Sequence, residues 1–379
     1  MKILDKYILR KFIGTFIYAI SLISIIIIVF DISEKIDAFL RWHVSLKSIV
    51  FDYYVNFVPY LVNLFSPLFT FIAVVFFTSR MTARSEIVAM LSGGISFRRL
   101  LVPYMIGAAM IASLSLFLNH VVIPNANKTR IRFEDMYVRS QYYNLSVHIH
   151  KQVKPGVFIY LHNYDVVRNL GVKFALEKID KQEVRYKLMS ETIMWDSVKH
   201  DWKIYNYFVR KIAADGRETT YAGMEKDSVL GFDPSDFKEK LTDVEAMDYK
   251  ELNQYIAQQR MEGSNNVKYF EVEKYKRTAF PFATFILTLI GFALSSRKVR
   301  GGTGLHLGVG LLIAFSFIIF MQVSTTFAES GFISPLVSVW IPNFIYGVLA
   351  FFMIRSASGI AGFSLSGFFK SFTRKKAGA

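Results

Sequence analysis

The chain has 379 residues, of which 53% are hydrophobic and 20% are charged, and its formal net charge is +15. This composition is more apolar than a soluble protein of the same length requires. The sequence contains no cysteine, which excludes a disulfide framework and a thiolate metal site.

The first apolar segment covers residues 12–30 and contains no charged residue. A helix needs about 20 mostly apolar residues to cross the hydrocarbon core, so this segment predicts a transmembrane span. Asp31 and Glu34 follow it without a small-residue cleavage site, and we therefore expect the first helix to be retained. Five further spans are predicted over residues 53–78, 100–123, 278–296, 305–327 and 335–354. Prolines inside these spans predict kinks at Pro59, Pro67, Pro103, Pro281 and Pro342.

Basic residues in short loops mark the cytoplasmic side of a membrane protein. The N-terminal arm, the second and fourth connections and the C-terminal tail hold 16 basic residues against two acidic ones, Asp5 and Glu86. The opposite short loops, residues 31–52 and 328–334, hold three basic residues, Lys35, Arg41 and Lys47. This asymmetry predicts that both termini are cytoplasmic and that the long insert after the third span is outside.

The insert over residues 125–272 holds 23 basic and 22 acidic residues. The positive net charge therefore comes from the short inner loops and reports topology. No folded domain of the chain is basic as a whole, which argues against nucleic-acid binding.

Five segments of the insert are rich in β-branched and aromatic residues and predict strands over residues 147–150, 156–161, 172–179, 184–195 and 202–212. Short strands at this spacing are typical of a sandwich, a jelly roll or a partly open barrel. A helix should follow, with Asp248 as N-cap, Glu251 at the third helical position and Gly263 after its end.

The sequence thus predicts an α-helical polytopic membrane protein with six transmembrane helices and an inserted all-β, jelly-roll-like periplasmic domain between helices 3 and 4. The expected domains are residues 1–124 with a short cytoplasmic helix at about 80–97, residues 125–272, residues 273–355, and a basic cytoplasmic tail over residues 356–379.

The connection between spans two and three is the most informative short segment. Ile87, Met90 and Leu91 have the spacing of one helix face, and Gly93 and Gly94 should end the helix. Such a helix can lie on the membrane surface, or it can insert into a groove of a cytoplasmic partner.

Residues 84–98 of this connection begin with Arg-Ser-Glu and continue with the apolar pair Ile-Val. The small residues Gly-Gly then end the helix, and the segment closes with Ser-Phe-Arg. The order resembles the coupling helix of the lipopolysaccharide export permeases, the LptF/LptG family. The opening Leu4-Asp5-Lys6-Tyr7-Ile8 and the later Trp340-Ile341-Pro342-Asn343 are similar to that family as well. The opening and residues 31–37 look closer to the G-type member than to the F-type.

The resemblance implies a permease subunit of an ABC-type complex in the bacterial inner membrane that extracts lipopolysaccharide. It implies four kinds of partner: a paralogous F-type permease, a dimeric LptB-type ATPase, an LptC-type or LptA-type periplasmic bridge, and lipopolysaccharide itself. The ATPase-coupling residues would be Arg84, Glu86, Ile87, Met90 and Leu91. The chain has no Gly-x-x-x-x-Gly-Lys-Ser/Thr motif, so we expect no cofactor and no enzymatic activity in it, with ATP and magnesium on the partner ATPase.

Phosphates of lipid A attract basic residues near the outer leaflet. The expected contacts are Lys35, Arg41, Lys274, Lys276 and Arg277. Basic residues at helix ends also anchor proteins in membranes for general reasons, and this alternative stays open. Gly304 and Gly308 form a small-x-x-x-small pair that would serve as a lateral gate or as an ordinary helix-packing surface.

His148 and His150 alternate along a predicted strand and should face the same side, as two metal ligands would. Without a third ligand, ordinary strand residues are the favoured interpretation, and no catalytic motif accompanies them. Two further functional classes remain open from the sequence. One is a permease for another envelope lipid or lipoprotein, and the other is a membrane scaffold or sensor whose outer domain binds a ligand.

Overall fold

A computed structural model describes residues 3–138, 147–165, 168–180, 183–213, 215–237, 241–264, 266–297 and 302–358. The chain forms two compact units. The membrane unit comprises Met1–Phe133 and Glu271–Ala379, and the sheet unit comprises Glu134–Phe270. The predicted tail beyond residue 358 lies outside the described residues, as do Lys298 and Arg300.

The helices are, in chain order, α1 (Ile3–Arg41), α2 (Leu46–Ser48), α3 (Val55–Ala83), α4 (Glu86–Ser92), α5 (Phe97–Phe117), α6 (Ile123–Phe133), α7 (Tyr249–Glu262), α8 (Val267–Ala279), α9 (Phe282–Ser295), α10 (Gly302–Glu329) and α11 (Pro335–Ala357). Short π-helical stretches, Ile49–Tyr54 and Leu118–Val122, extend α3 and α5. Within the described ranges, five helical segments are long and apolar enough to cross a membrane, or six if the bent pair α8 and α9 counts as one span. The structure therefore supports five or six spans where the sequence predicted six.

Helix α1 is longer than the predicted first span. It has 39 residues, or about 58 Å of helix, against a hydrocarbon core of about 30 Å. The segment after Phe30 was predicted as part of a loop, but it contains neither glycine nor proline before the helix ends at Arg41. An ion pair one helical turn apart, Lys35 with Asp31 at 2.6 Å, also favours its helical form.

Aromatic rings join four helices at the centre of the membrane unit. Phe12 of α1 stacks on Phe77 of α3, which stacks on Tyr104 of α5 at a centroid distance of 5.2 Å. Tyr104 in turn contacts Phe292 of α9 at 4.6 Å. Gly107 makes this packing possible, because a Cβ atom there would lie 2.4 Å from the Phe12 ring.

The prolines predicted to kink the spans differ in their effect. Four of them lie inside helices that continue past them, namely Pro59, Pro67, Pro103 and Pro342. At Pro281 the chain leaves α8 and begins α9, and the two helix axes differ by 51°. Proline lacks the amide hydrogen that would continue the helical hydrogen bonds, so the fourth predicted span is broken at this residue.

The sheet unit contains one antiparallel sheet of six described strands in the order β1-β2-β3-β4-β5-β6. They are β1 (Val147–Lys154), β2 (Val157–Asp165), β3 (Leu170–Asp180), β4 (Glu183–Asp196), β5 (Asp201–Ile212) and β6 (Glu218–Ser228). Every strand pairs with its neighbours in the chain, so the described connections form a meander. A jelly-roll arrangement is not established by this order.

The five predicted strands are confirmed, and β6 was missed. One face of the sheet is buried, with Trp202 at its centre and its indole Nε1 donating to the carbonyl of Phe232 at 2.8 Å. Strand β6 forms an edge of the sheet and is exposed along almost its whole length. Its sequence therefore carries little of the apolar alternation from which a strand is predicted.

Helix α7 forms at the predicted residues. The Asp248 side chain accepts from the amide of Glu251, the Glu251 side chain accepts from the amide of Asp248, and Gly263 ends the helix in a left-handed conformation. This capping box is confirmed. A buried ion pair at 3.0 Å joins Glu262 at the end of α7 to Lys151 of β1.

Candidate functional site

The α3–α5 connection, residues 84–96, contains a helix shorter than the predicted 80–97. Ser85 has φ 62°, a left-handed conformation that is costly for a residue other than glycine, and it separates α3 from α4. Helix α4 ends at the predicted glycines, and Gly94 has φ 84°. The Ser96 side chain then accepts from the amide of Arg99 and caps α5.

The apolar side chains of α4 differ in their exposure. Ile87 is completely buried in the core of the membrane unit, and Met90 packs against the same core. Leu91 is 37% exposed and Val88 48% exposed. Ile87 and Met90 therefore attach α4 to the core of the membrane unit, whereas Val88, Leu91 and the preceding Arg84 are exposed.

Two side chains from the start of α1 bind α4 and the first turn of α5. The Tyr7 hydroxyl donates to Glu86 Oε2 at 3.0 Å. Asp5, which is buried, accepts from Arg99 at 2.7 Å. Both residues belong to the opening Leu-Asp-Lys-Tyr motif, but sequence reasoning did not predict that this opening contacts residues 79 and 94 positions later. The available signal was an acidic residue, Asp5, close to the start of an apolar helix.

Lys35 lies in a compact polar cluster at the far end of α1. Its Nζ pairs with Asp31, contacts the Tyr53 hydroxyl, and stands 4.6 Å from the centroid of the Tyr53 ring. The Tyr54 hydroxyl also donates to Asp31, at 3.0 Å. The Lys35 charge is thus largely compensated within the chain.

The other predicted phosphate contacts differ in accessibility. Arg41 is exposed at the end of α1. Lys276 of α8 is partly exposed and stands 3.8 Å from Glu273, and Lys274 lies 5.3 Å from the centroid of the Tyr275 ring. Arg277 is only 5% exposed. Arg41, Lys274 and Lys276 are therefore the accessible cations of the predicted set.

Gly304 and Gly308 lie on an open face of α10. A Cβ atom built at either position would meet nothing within 4 Å. At Gly310, on the packed face, a Cβ would approach the Phe71 ring to 3.0 Å. The predicted gate pair is thus not used for packing within the described part of the chain.

The two strand histidines face the same side of the sheet, as their alternation predicted. His148 Nδ1 lies 2.9 Å from the Tyr160 hydroxyl, and the His150 ring packs on the same tyrosine at a centroid distance of 4.7 Å. These contacts give both imidazoles an ordinary structural environment in β1 and β2.

A bundle of apolar helices of spanning length, with a separate β unit inserted in the middle of the chain, defines a multi-pass membrane protein. Residues 6–356 match the family model described as lipopolysaccharide export system permease LptF/LptG. The chain belongs to this family, whose members are inner-membrane transport subunits of lipopolysaccharide export and not enzymes. No individual curated protein matches the chain significantly.

Proposed function

We propose that this chain is the G-type permease subunit of an ABC-type complex. The complex would extract lipopolysaccharide from the inner membrane and pass it to a periplasmic bridge protein, powered by a dimeric ATPase on the cytoplasmic side. The family match supports the transport class. The opening residues and the 31–37 segment support the G-type assignment.

The orientation proposed is the one that the charge distribution favours, with both termini and α4 cytoplasmic and the sheet unit periplasmic. On the inner side stand Arg10, Lys11, Arg80, Arg84 and Arg98. ATP and magnesium would bind to the partner ATPase, and this chain would supply only the surface on which that partner acts.

The anchoring of α4 is the observation that carries the proposal. Tyr7 ties Glu86 to α1, Asp5 and Arg99 tie α1 to α5, and Ile87 is buried in the core formed by α1, α3 and α5. A push on the exposed side of α4 therefore displaces at least α1 and α5 with it. Motion of a partner ATPase would in this way reach the membrane helices.

Cargo contact would fall to accessible cations near the far ends of the spans, which are Arg41, Lys274 and Lys276. Lipid A phosphates would bind there through charge-assisted hydrogen bonds. The open face around Gly304 and Gly308 would pack against the paralogous permease and open as a lateral gate.

Depletion of the protein tests the transport function. Cells without this chain should lose delivery of new lipopolysaccharide to their surface, measured by pulse labelling and outer-membrane fractionation. Normal delivery in the absence of any paralogue would refute the proposal.

A charge reversal tests the coupling role of α4. Glu86→Lys should release the ATPase from the membrane complex and abolish transport, whereas Glu86→Gln, which still accepts from Tyr7, should retain part of both. The measurements are co-purification of the ATPase and ATP-driven release of lipopolysaccharide from vesicles. Equal values for Glu86→Lys and wild type would remove α4 from the mechanism.

A further inference from the structure

The break in the fourth span interrupts the backbone hydrogen bonds at the end of α8. Pro281 has no amide hydrogen to give to the carbonyl of Arg277, four residues earlier. Ala283 donates to the carbonyl of Phe280 at 3.1 Å, three residues earlier instead of four, so the regular helical pairing is also altered next to the carbonyl of Ala279. Unpaired backbone groups are costly in a membrane and have to be satisfied by neighbouring helices.

Side-chain amides from two other segments supply these donors. Asn343 Nδ2 of α11 donates to the carbonyl of Ala279 at 2.9 Å. Asn119 Nδ2, in the π-helical stretch after α5, donates to the carbonyl of Arg277 at 3.2 Å. Each amide therefore donates to a backbone carbonyl at the break between α8 and α9.

The Asn119 amide is itself held in place. Its Oδ1 accepts from Asn63 Nδ2 of α3 at 2.8 Å, and Asn63 Oδ1 accepts from the Ser115 hydroxyl of α5 at 2.5 Å. Asn63 and Ser115 are both buried. This chain of hydrogen bonds joins α3 and α5 to the last turn of α8, so the position of that turn depends on the packing of the other helices.

The bond to the Arg277 carbonyl fixes more than the bend angle. It also fixes the rotation of the last turn of α8 about its axis. Lys276 lies in this turn, and Lys274 lies in the turn before it on the same helix. If the bond is lost, the helix can rotate or straighten, and both ammonium groups change direction.

We infer that Asn119 and Asn343 are positioning residues that hold α8 and α9 at a fixed bend, and that this bend directs the Lys274 side chain toward the anionic cargo. The role in transfer rests on the proposed function of the chain. The bend itself does not, and it is measured separately.

Variants that remove or keep the side-chain donors test the bend. Asn119→Leu and Asn343→Leu remove the donors, and Asn119→Gln and Asn343→Gln keep a donor. Asn125→Leu is the control, because Asn125 is exposed and donates to the carbonyl of Val121, four residues earlier. The native chain has no cysteine, so spin labels can be attached at the exposed positions Lys268 and Arg297, at the two ends of the bent pair. Pulsed electron paramagnetic resonance on the assembled complex in nanodiscs then gives the distribution of distances between the two spin labels.

Each leucine variant should shift the ratio of native to altered distances by about threefold, the average effect of one interhelical hydrogen bond in a membrane. The glutamine variants should recover most of the native distribution. Pro281→Ala, which restores the amide hydrogen toward the Arg277 carbonyl, should straighten the pair. Distances unchanged in both leucine variants and in their combination would overturn the inference.

Transfer is measured with a photo-reactive amino acid in place of Lys274 and lipopolysaccharide in the same nanodiscs. Labelling per ATP hydrolysed should fall in the leucine variants and return in the glutamine variants, with ATPase activity unchanged. A fall in labelling without a change in distance would also overturn the inference. The protein with both asparagines intact could give no labelling while the label-to-label distances still depend on Asn119 and Asn343. In that case the proposed cargo contact is wrong, and the role of the two asparagines in fixing the bend remains.

Discussion

Tyr7 donates a hydrogen bond to Glu86, which is the first residue of α4, across a distance of 3.0 Å. The pair joins the start of the first membrane helix to the helix proposed to receive force from the ATPase. Since Ile87 next to Glu86 is buried, α4 is held to the membrane unit by both a polar and an apolar contact.

Tyr7→Phe should weaken coupling without unfolding the chain. A single partly exposed hydrogen bond contributes about 0.5–1.5 kcal/mol, so we expect lipopolysaccharide release per ATP to fall by up to about tenfold. Release from vesicles and ATP hydrolysis are measured together. Tyr18→Phe is the matched control, because that ring is 71% exposed. Equal loss in both variants would contradict a specific role for Tyr7.

Arg99→Ala should destabilise the membrane unit, because it leaves the buried carboxylate of Asp5 without its 2.7 Å partner. Arg99 is itself 37% exposed, so solvent screening makes the cost smaller than that of breaking a fully buried ion pair. The thermal unfolding midpoint of the purified complex should fall. Arg98→Ala, at an exposed neighbouring position, should leave the midpoint within error.

A photo-reactive residue at Arg41 should label lipopolysaccharide more strongly than one at Lys35. Arg41 is exposed, whereas Lys35 is engaged with Asp31 and the Tyr53 ring. Replacing Lys35 should instead loosen the contact between α1 and the start of α3. Stronger labelling from position 35 would contradict the choice of Arg41 as the more accessible cargo contact.

Two glycines of α10 should respond differently to alanine. Gly310→Ala forces the Phe71 ring to move and should lower the stability of the chain, by about 1–3 kcal/mol if the ring cannot adjust. Gly308→Ala meets open space and should leave stability unchanged while weakening the pairing with the paralogous permease. Thermal unfolding and co-purification separate the two effects. Normal pairing of Gly308→Ala would argue against the proposed gate.

Trp202→Phe should loosen the sheet unit. The change removes the indole donor and leaves the buried carbonyl of Phe232 unsatisfied, at a cost of about 1–3 kcal/mol. Amide hydrogen exchange in β5, measured in the full chain, should accelerate at least about fivefold. The same exchange rates in Trp42→Phe, which alters an exposed tryptophan of the membrane unit, provide the baseline.

Much of the architecture was readable because its signals are local. Apolar segments of spanning length, the capping box at Asp248 and Glu251, and the alternation in β1 to β5 depend only on neighbours in the chain. Strand β6 was missed because an exposed edge strand does not need an apolar face. The helical form of residues 31–41 was missed because the apolar segment ends at Phe30, although charged residues one turn apart also stabilise a helix.

The sequence alone determined the class of protein, the membrane segments and, by resemblance, the family that the match over residues 6–356 established. Tertiary structure decided which polar groups meet: Tyr7 with Glu86, Asp5 with Arg99, Asn119 with the Arg277 carbonyl, and Asn343 with the Ala279 carbonyl. Tertiary packing also buries Ile87 completely, so this side chain is not accessible to a partner. These pairings depend on how distant helices pack and cross, and local periodicity specifies which face of a helix is apolar without specifying which helix will cover it.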